Sequence, residues 1–129
     1  MQRPFGALVA YLLVVSVVCS AQARPQCDYP EYESQAKQNF CSGERYRAED
    51  RKLNTQYKRL VARLSAPERE RLREDQRTWL RNLEPGCVEP LGPRDQGGSM
   101  WAMEFFDCMA QETAARTKVL TDWLAKNKL

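Results

Sequence analysis

Residues 65–87, SAPERERLREDQRTWLRNLEPGC, carry a helix start signal, a one-sided apolar stripe and a stop signal. Ser65 followed three residues later by Glu68 is a capping box, and Pro67 is tolerated in a first helical turn. Leu72, Gln76, Trp79, Leu80 and Leu83 then recur largely at steps of three and four, the spacing of one helix face. Pro85 and Gly86 are expected to stop the helix, leaving Cys87 just beyond its end. The remaining faces are charged, so this helix cannot hold itself up in water without partners for its stripe.

Two further segments can supply those partners. Over residues 44–64, Tyr46, Asp50, Leu53, Tyr57, Leu60 and Leu64 fall on one stripe, widened by Val61. The Ser65-Ala66-Pro67 link is short enough to force a hairpin. Residues 88–99, VEPLGPRDQGGS, hold two prolines and three glycines and read as a loop. Over residues 100–126 a third helix is expected, capped by Ser99. Its seam is Met103, Phe106, Ala110, Thr113, Thr117, Leu120 and Leu124. Lys118, Lys126 and Lys128 gather where a helix C-terminus favours positive charge. Residues 24–34 read as an extended arm, residues 35–40 as a short helical turn, and Ser42-Gly43 as a joint before the first main helix. No segment alternates with period two. The expected fold is all-α, a small antiparallel three-helix bundle with a disulfide-tied N-terminal arm.

Residues 1–23 are set apart. Arg3 precedes a nearly continuous apolar run from Ala7 to Cys19, and Ala21-Gln22-Ala23 is an A-x-A cleavage site. The run is too short to span a membrane, so it reads as a secretory signal peptide. Residues 24–129 then form one small domain, with net charge lowered from +3 to +2 by the loss of Arg3. That balance is too weak for non-specific nucleic-acid binding. Four cysteines remain, Cys27, Cys41, Cys87 and Cys108, an even set that reads as two disulfides in an oxidising compartment. Adjacency along the chain favours Cys27–Cys41 and Cys87–Cys108 among the three connectivities. The chain has no histidine and no Cys-x-x-Cys pair, which removes the usual zinc ligand sets.

The same lack of histidine removes the commonest general base, and no nucleophile elbow or phosphate-cradling glycine loop occurs. No catalytic activity, cofactor or metal is expected. The arginines Arg69, Arg71, Arg73, Arg77 and Arg81 alternate with acids, the pattern of a solvated face. Asp50, a carboxylate within an apolar stripe, needs a partner, and Arg77 or Arg116 from a neighbouring helix is expected to supply it.

Several short motifs, in order, resemble the LprI-like lysozyme-inhibitor domain family. Asn39-Phe40-Cys41 resembles its opening Met-Asn-x-Cys. Tyr46, Ala48-Glu49-Asp50, Leu53-Asn54 and Tyr57 are similar to its Y…AD…LN…Y helix. Gln76-Arg77-Thr78-Trp79 resembles its AQRAW segment, with Asp75 replacing the usual alanine. Gly97-Gly98-Ser99 resembles its glycine–serine turn, and Cys108, Thr113, Arg116 and Leu120 resemble its C…T..R…L pattern. The chain departs from the family at Leu83-Glu84, where an Arg-Asp pair is usual. The resemblance implies an exported helical protein, periplasmic or secreted, with a protein partner, an animal-type lysozyme.

Two functions follow. An inhibitor would present the 88–99 loop to a cleft whose chemistry is done by two carboxylates, with Arg94 and Ser99 as the groups that enter. Animal lysozymes are basic, so a chain near +2 offers no electrostatic steering. The alternative is a non-inhibitory envelope binding module, using Trp101, Phe105 and Trp123 as a contact patch for another exported protein or a cell-wall component.

Overall fold

The computed structural model describes Cys27 and residues 34–126. The expected signal peptide and most of the arm lie outside the described residues. Three helices form: α1 (Gln35–Val61), α2 (Ala66–Leu91) and α3 (Trp101–Lys126), with a short 3-10 turn at Arg94–Gln96. Among the described residues there is no strand. Two disulfides join Cys27 to Cys41 and Cys87 to Cys108, the pairing that chain adjacency favours.

Cross-helix contacts fix the directions. Asn39 meets Ser99 and Arg45 meets Asp107, so α1 and α3 run the same way. Cys87 meets Cys108 and Asp75 meets Arg116, so α2 runs against α3. The two apolar clusters follow from the stripes. One holds Leu53, Leu60, Leu64, Leu72 and Leu120, with Tyr57, Val61, Trp79 and Leu124 packed against it. The other holds Leu83, Cys87 and Met109, with Tyr46, Trp79, Phe105 and Cys108 against it. Trp79 belongs to both and joins them. Leu80, expected on the α2 stripe, is 53% exposed instead: it lies one residue beyond Trp79 and so points off the buried face.

Two helix boundaries differ from the sequence reading. The Ser42-Gly43 joint is absent, and α1 runs unbroken from Gln35. Ser34 caps it, its Oγ accepting from Lys37 N at 3.4 Å. Ser42 and Gly43 are buried within the helix, and a Cβ on Gly43 would touch the Phe106 ring at 3.8 Å. Glycine costs about 1 kcal/mol in a helix interior, and the helix nonetheless runs through it. Nor do Pro85 and Gly86 stop α2, which continues past Pro90 to Leu91. Pro85, Gly86 and Pro90 all sit on the solvent side, where water can satisfy the carbonyls the prolines leave unpaired. Leu83 and Cys87, four residues apart, keep the buried stripe going beneath them.

Candidate functional site: a loop tied at both ends

Because α2 runs on to Leu91, the irregular segment is shorter than expected and spans residues 92–100. Gly92 ends α2 at φ +73°, a left-handed conformation suited to glycine, and its N–H donates to Val88 O at 2.9 Å. Pro93 is extended and leads into the 3-10 turn. There Gln96 N donates to Pro93 O at 3.0 Å and Gly97 N to Arg94 O at 3.3 Å. Gly98, at φ +67°, reverses the chain toward α3.

The loop wraps an indole. Trp101, in the first turn of α3, is buried, and its Nε1 donates to Gly92 O at 2.9 Å. Its ring stacks on Phe105 at 4.9 Å between centroids. Gly97 lies so close that a Cβ there would fall 2.0 Å from Trp101 Cδ1, so no larger residue fits without displacing the ring or the loop. From α1, Asn39 Nδ2 donates to Ser99 O at 2.9 Å, while Asn39 Oδ1 accepts from Gln35 Nε2 at 2.9 Å. The Cys87–Cys108 disulfide, with Cα atoms 5.7 Å apart, ties the last turns of α2 to α3 beneath the loop.

On this frame Arg94 is exposed at the start of the 3-10 turn. Ser99 is exposed as well, and its carbonyl is used inward by Asn39. The aromatic patch of the binding-module reading divides. Trp101 and half-buried Phe105 belong to the packing under the loop, whereas Trp123 remains 39% exposed on the last turns of α3. Trp123, Val119 and Leu120 line a shallow groove edged by Arg71, Asp75, Asp122 and Lys126.

The polar network is arranged differently from the expectation. Asp50 is half-buried and accepts from Asn54 Nδ2 at 2.9 Å, one turn along α1. Burial, with the Asp50 and Glu84 carboxylates adding to it, raises the Tyr46 phenol above its ordinary value. Arg77 faces solvent. Arg116 is the buried arginine, with 10% of its side chain exposed, and it turns to α2 rather than to Asp50. Its Nε donates to Gln76 Oε1 at 2.9 Å, its Nη2 pairs with Asp75, and its guanidinium lies 5.8 Å from the Trp79 ring centroid. Asp75 is therefore the partner of the helix-bridging arginine. Spacing alone could not choose between Asp50 and Asp75, since both lie near helix seams.

No group of acidic or cysteine side chains suited to a metal ion occurs among the described residues. The arrangement consists of a loop hydrogen-bonded near both ends, with an exposed cation, Arg94, between them.

A profile of the family described as lysozyme inhibitor LprI matches residues 27–120, from the first disulfide cysteine to the last buried leucine of α3. The chain belongs to this family. An uncharacterized protein of Rhizobium meliloti (strain 1021) is 31% identical over 133 residues, covering 93% of this chain and 94% of the relative. No solved structure matches it. The family match spans α1, α2, both disulfides, the whole loop and α3 as far as Leu120, so the motifs the sequence resembles are elements of one fold.

Proposed function

We infer that this protein is an exported lysozyme inhibitor that occludes the enzyme's cleft with its 92–100 loop, Arg94 foremost. The observation that carries this reading is an exposed arginine on a short turn held at both ends, in a chain of the lysozyme inhibitor LprI family. A guanidinium can hydrogen-bond a carboxylate through two parallel N–H donors, which suits a cleft whose chemistry depends on a carboxylate pair. A loop already fixed in shape loses little ordering entropy on binding. The disulfides fit export, since such cross-links persist in oxidising compartments.

Muramidase turnover measured with the purified, oxidised chain tests the reading. Wild type should inhibit, and Arg94→Ala should weaken inhibition by about 2 kcal/mol or more, roughly thirtyfold, with the fold intact. Inhibition unchanged by Arg94→Ala would move the contact surface off the loop. No inhibition by wild type would retire the reading and leave the envelope binding module, which the Trp123 groove favours.

A further inference from the structure

Two short motifs of the sequence meet at the far end of the loop: Asn39, two residues before a disulfide cysteine, and the Gly97-Gly98-Ser99 turn. They lie about sixty residues apart in the chain and meet through the Asn39 Nδ2 to Ser99 O hydrogen bond of 2.9 Å. The orientation of the Asn39 amide is set from both sides, because Gln35 Nε2 donates to its Oδ1 at 2.9 Å. On the other flank of the loop, Trp101 Nε1 holds Gly92 O at 2.9 Å, and Gly97 leaves room for the indole. The first and last parts of the loop are thus pinned to different helices, Gly92 through α3 and Ser99 through α1.

We propose that Asn39 and Trp101 are positioning residues of the recognition loop, and that the Cys27–Cys41 disulfide supports the loop at second hand. That disulfide closes on α1 two residues from Asn39, and the turn carrying Asn39 is continuous with the rest of the helix. An extended α1 is what brings Asn39 to Ser99: were the helix to begin only after Gly43, as the sequence suggested, the donor would have no fixed place. Neither residue need touch the partner. Each keeps the backbone around Arg94 in one conformation, so the free loop already has the shape in which Arg94 projects. This inference rests on the loop being the binding element, but the positioning itself can be read without a partner.

The test uses the oxidised chain carrying Asn39→Ala or Trp101→Phe. The first removes the Ser99 bond, and the second removes the indole N–H while keeping an aromatic ring against Phe105. Amide hydrogen exchange is followed at residues 92–100 and, as an internal control, at Leu53 and Leu120. Each variant should speed exchange in the loop by roughly three- to tenfold, the equilibrium equivalent of one hydrogen bond, and leave the two leucines unchanged. Inhibition of an animal lysozyme should weaken by a similar factor, although Arg94 is intact. As a second measure, Gly97→Ala should loosen the loop strongly, because its Cβ would meet Trp101 Cδ1, Cγ and Cβ at 2.0, 2.5 and 2.7 Å. Loop exchange unchanged in both single variants overturns the positioning role. A loosened loop with undiminished inhibition overturns the link to recognition. If wild type inhibits no lysozyme, the exchange data still decide whether Asn39 and Trp101 hold the loop.

Discussion

Replacing Arg116 with alanine should destabilise the protein by about 2–3 kcal/mol, and the size of the loss separates two views of this residue. Four local terms contribute. The hydrogen bond to Gln76 Oε1, at 2.9 Å, is worth about 1 kcal/mol. The guanidinium above Trp79 adds about 0.5–1 kcal/mol. The buried stem contributes by packing, at roughly 0.8 kcal/mol for each methylene fully removed from water. The ion pair is the weak member, because Asp75 is 63% exposed and water screens it; a pair of this kind contributes about 0–1 kcal/mol. All the terms act through one side chain, so their sum overstates the loss.

Urea unfolding of the oxidised protein provides the assay. With a denaturant dependence of about 1 kcal/mol per molar, as expected for a small chain, the midpoint of Arg116→Ala should fall by about 2–3 M. Arg116→Lys keeps the charge but loses the planar fork, and its midpoint should lie between the two. Asp75→Ala should shift the midpoint by less than about 1 M, the limit set by a screened pair. Equal losses from Asp75→Ala and Arg116→Ala would show that the ion pair itself carries the bridge between α2 and α3. A loss below about 0.5 kcal/mol for Arg116→Ala would show that the bridge is dispensable.

Three further outcomes follow from local geometry. Gly97→Ala places a Cβ 2.0 Å from Trp101 Cδ1, and overpacking of this kind should cost about 1–3 kcal/mol, read as a lower thermal midpoint. Glu68 accepts from Ser65 Oγ at 2.6 Å and Ser65 N at 2.8 Å, and these bonds hold its carboxyl below the ordinary value of 4.5. Its folded form sheds the proton more readily, so its contribution is present above pH 4.5 and is lost as pH falls through the lower folded value; thermal midpoints of wild type and Glu68→Gln should converge in acid. Tyr46 has the opposite sign. Burial raises its phenol above 10.0, so the stability it contributes is complete below that pH and declines above it; Tyr46→Phe should lose less stability than wild type on passing into alkali, as measured by denaturant midpoints.

The fold was largely legible because apolar stripes survive in a charged sequence. Leu53, Leu60, Leu72 and Leu120 were all placed on seams by spacing, and each is at most 2% exposed. The cysteine pairing was legible from adjacency. The end of α2 was not, because the signal was read locally: Pro85-Gly86 is a strong stop in isolation, yet Leu83, Cys87 and Leu91 continue the inward period of four through it. Following the stripe past the proline would have found the extra turn. Arg94 was identifiable as a loop residue, but the contacts at the loop's two ends were not. They come from Trp101, which spacing left off the α3 seam, and from Asn39, which the sequence placed before a joint that does not exist. The partner of Arg116 was equally hidden, because sequence spacing does not report which side of a helix faces a neighbour when both sides carry acids.

The extension of α2 bears directly on how the loop can act. Proline in a helix interior costs about 3 kcal/mol or more, so a helix crossing Pro85 and Pro90 persists only where tertiary contacts oppose that cost. Those contacts are the buried Leu83 and Cys87 and the disulfide from Cys87 to Cys108. With the helix carried on to Leu91, the loop begins at Gly92 and returns to helix at Trp101, both ends emerging from ordered turns. A stop at Pro85 would instead leave a longer segment, fixed mainly at the disulfide, with more conformations to surrender on binding. Two prolines inside α2 thus leave its last turns dependent on the buried Leu83 and Cys87 and on the Cys87–Cys108 bond. Reduction of that bond should fray α2 from Leu91 back toward Pro85 and free the loop, while the Leu53–Leu60–Leu72–Leu120 cluster stays packed. Amide exchange before and after reduction checks this. Protection lost at residues 84–91 with the leucine cluster unchanged is the expected pattern, and equal loss throughout would mean that the disulfide holds the whole bundle.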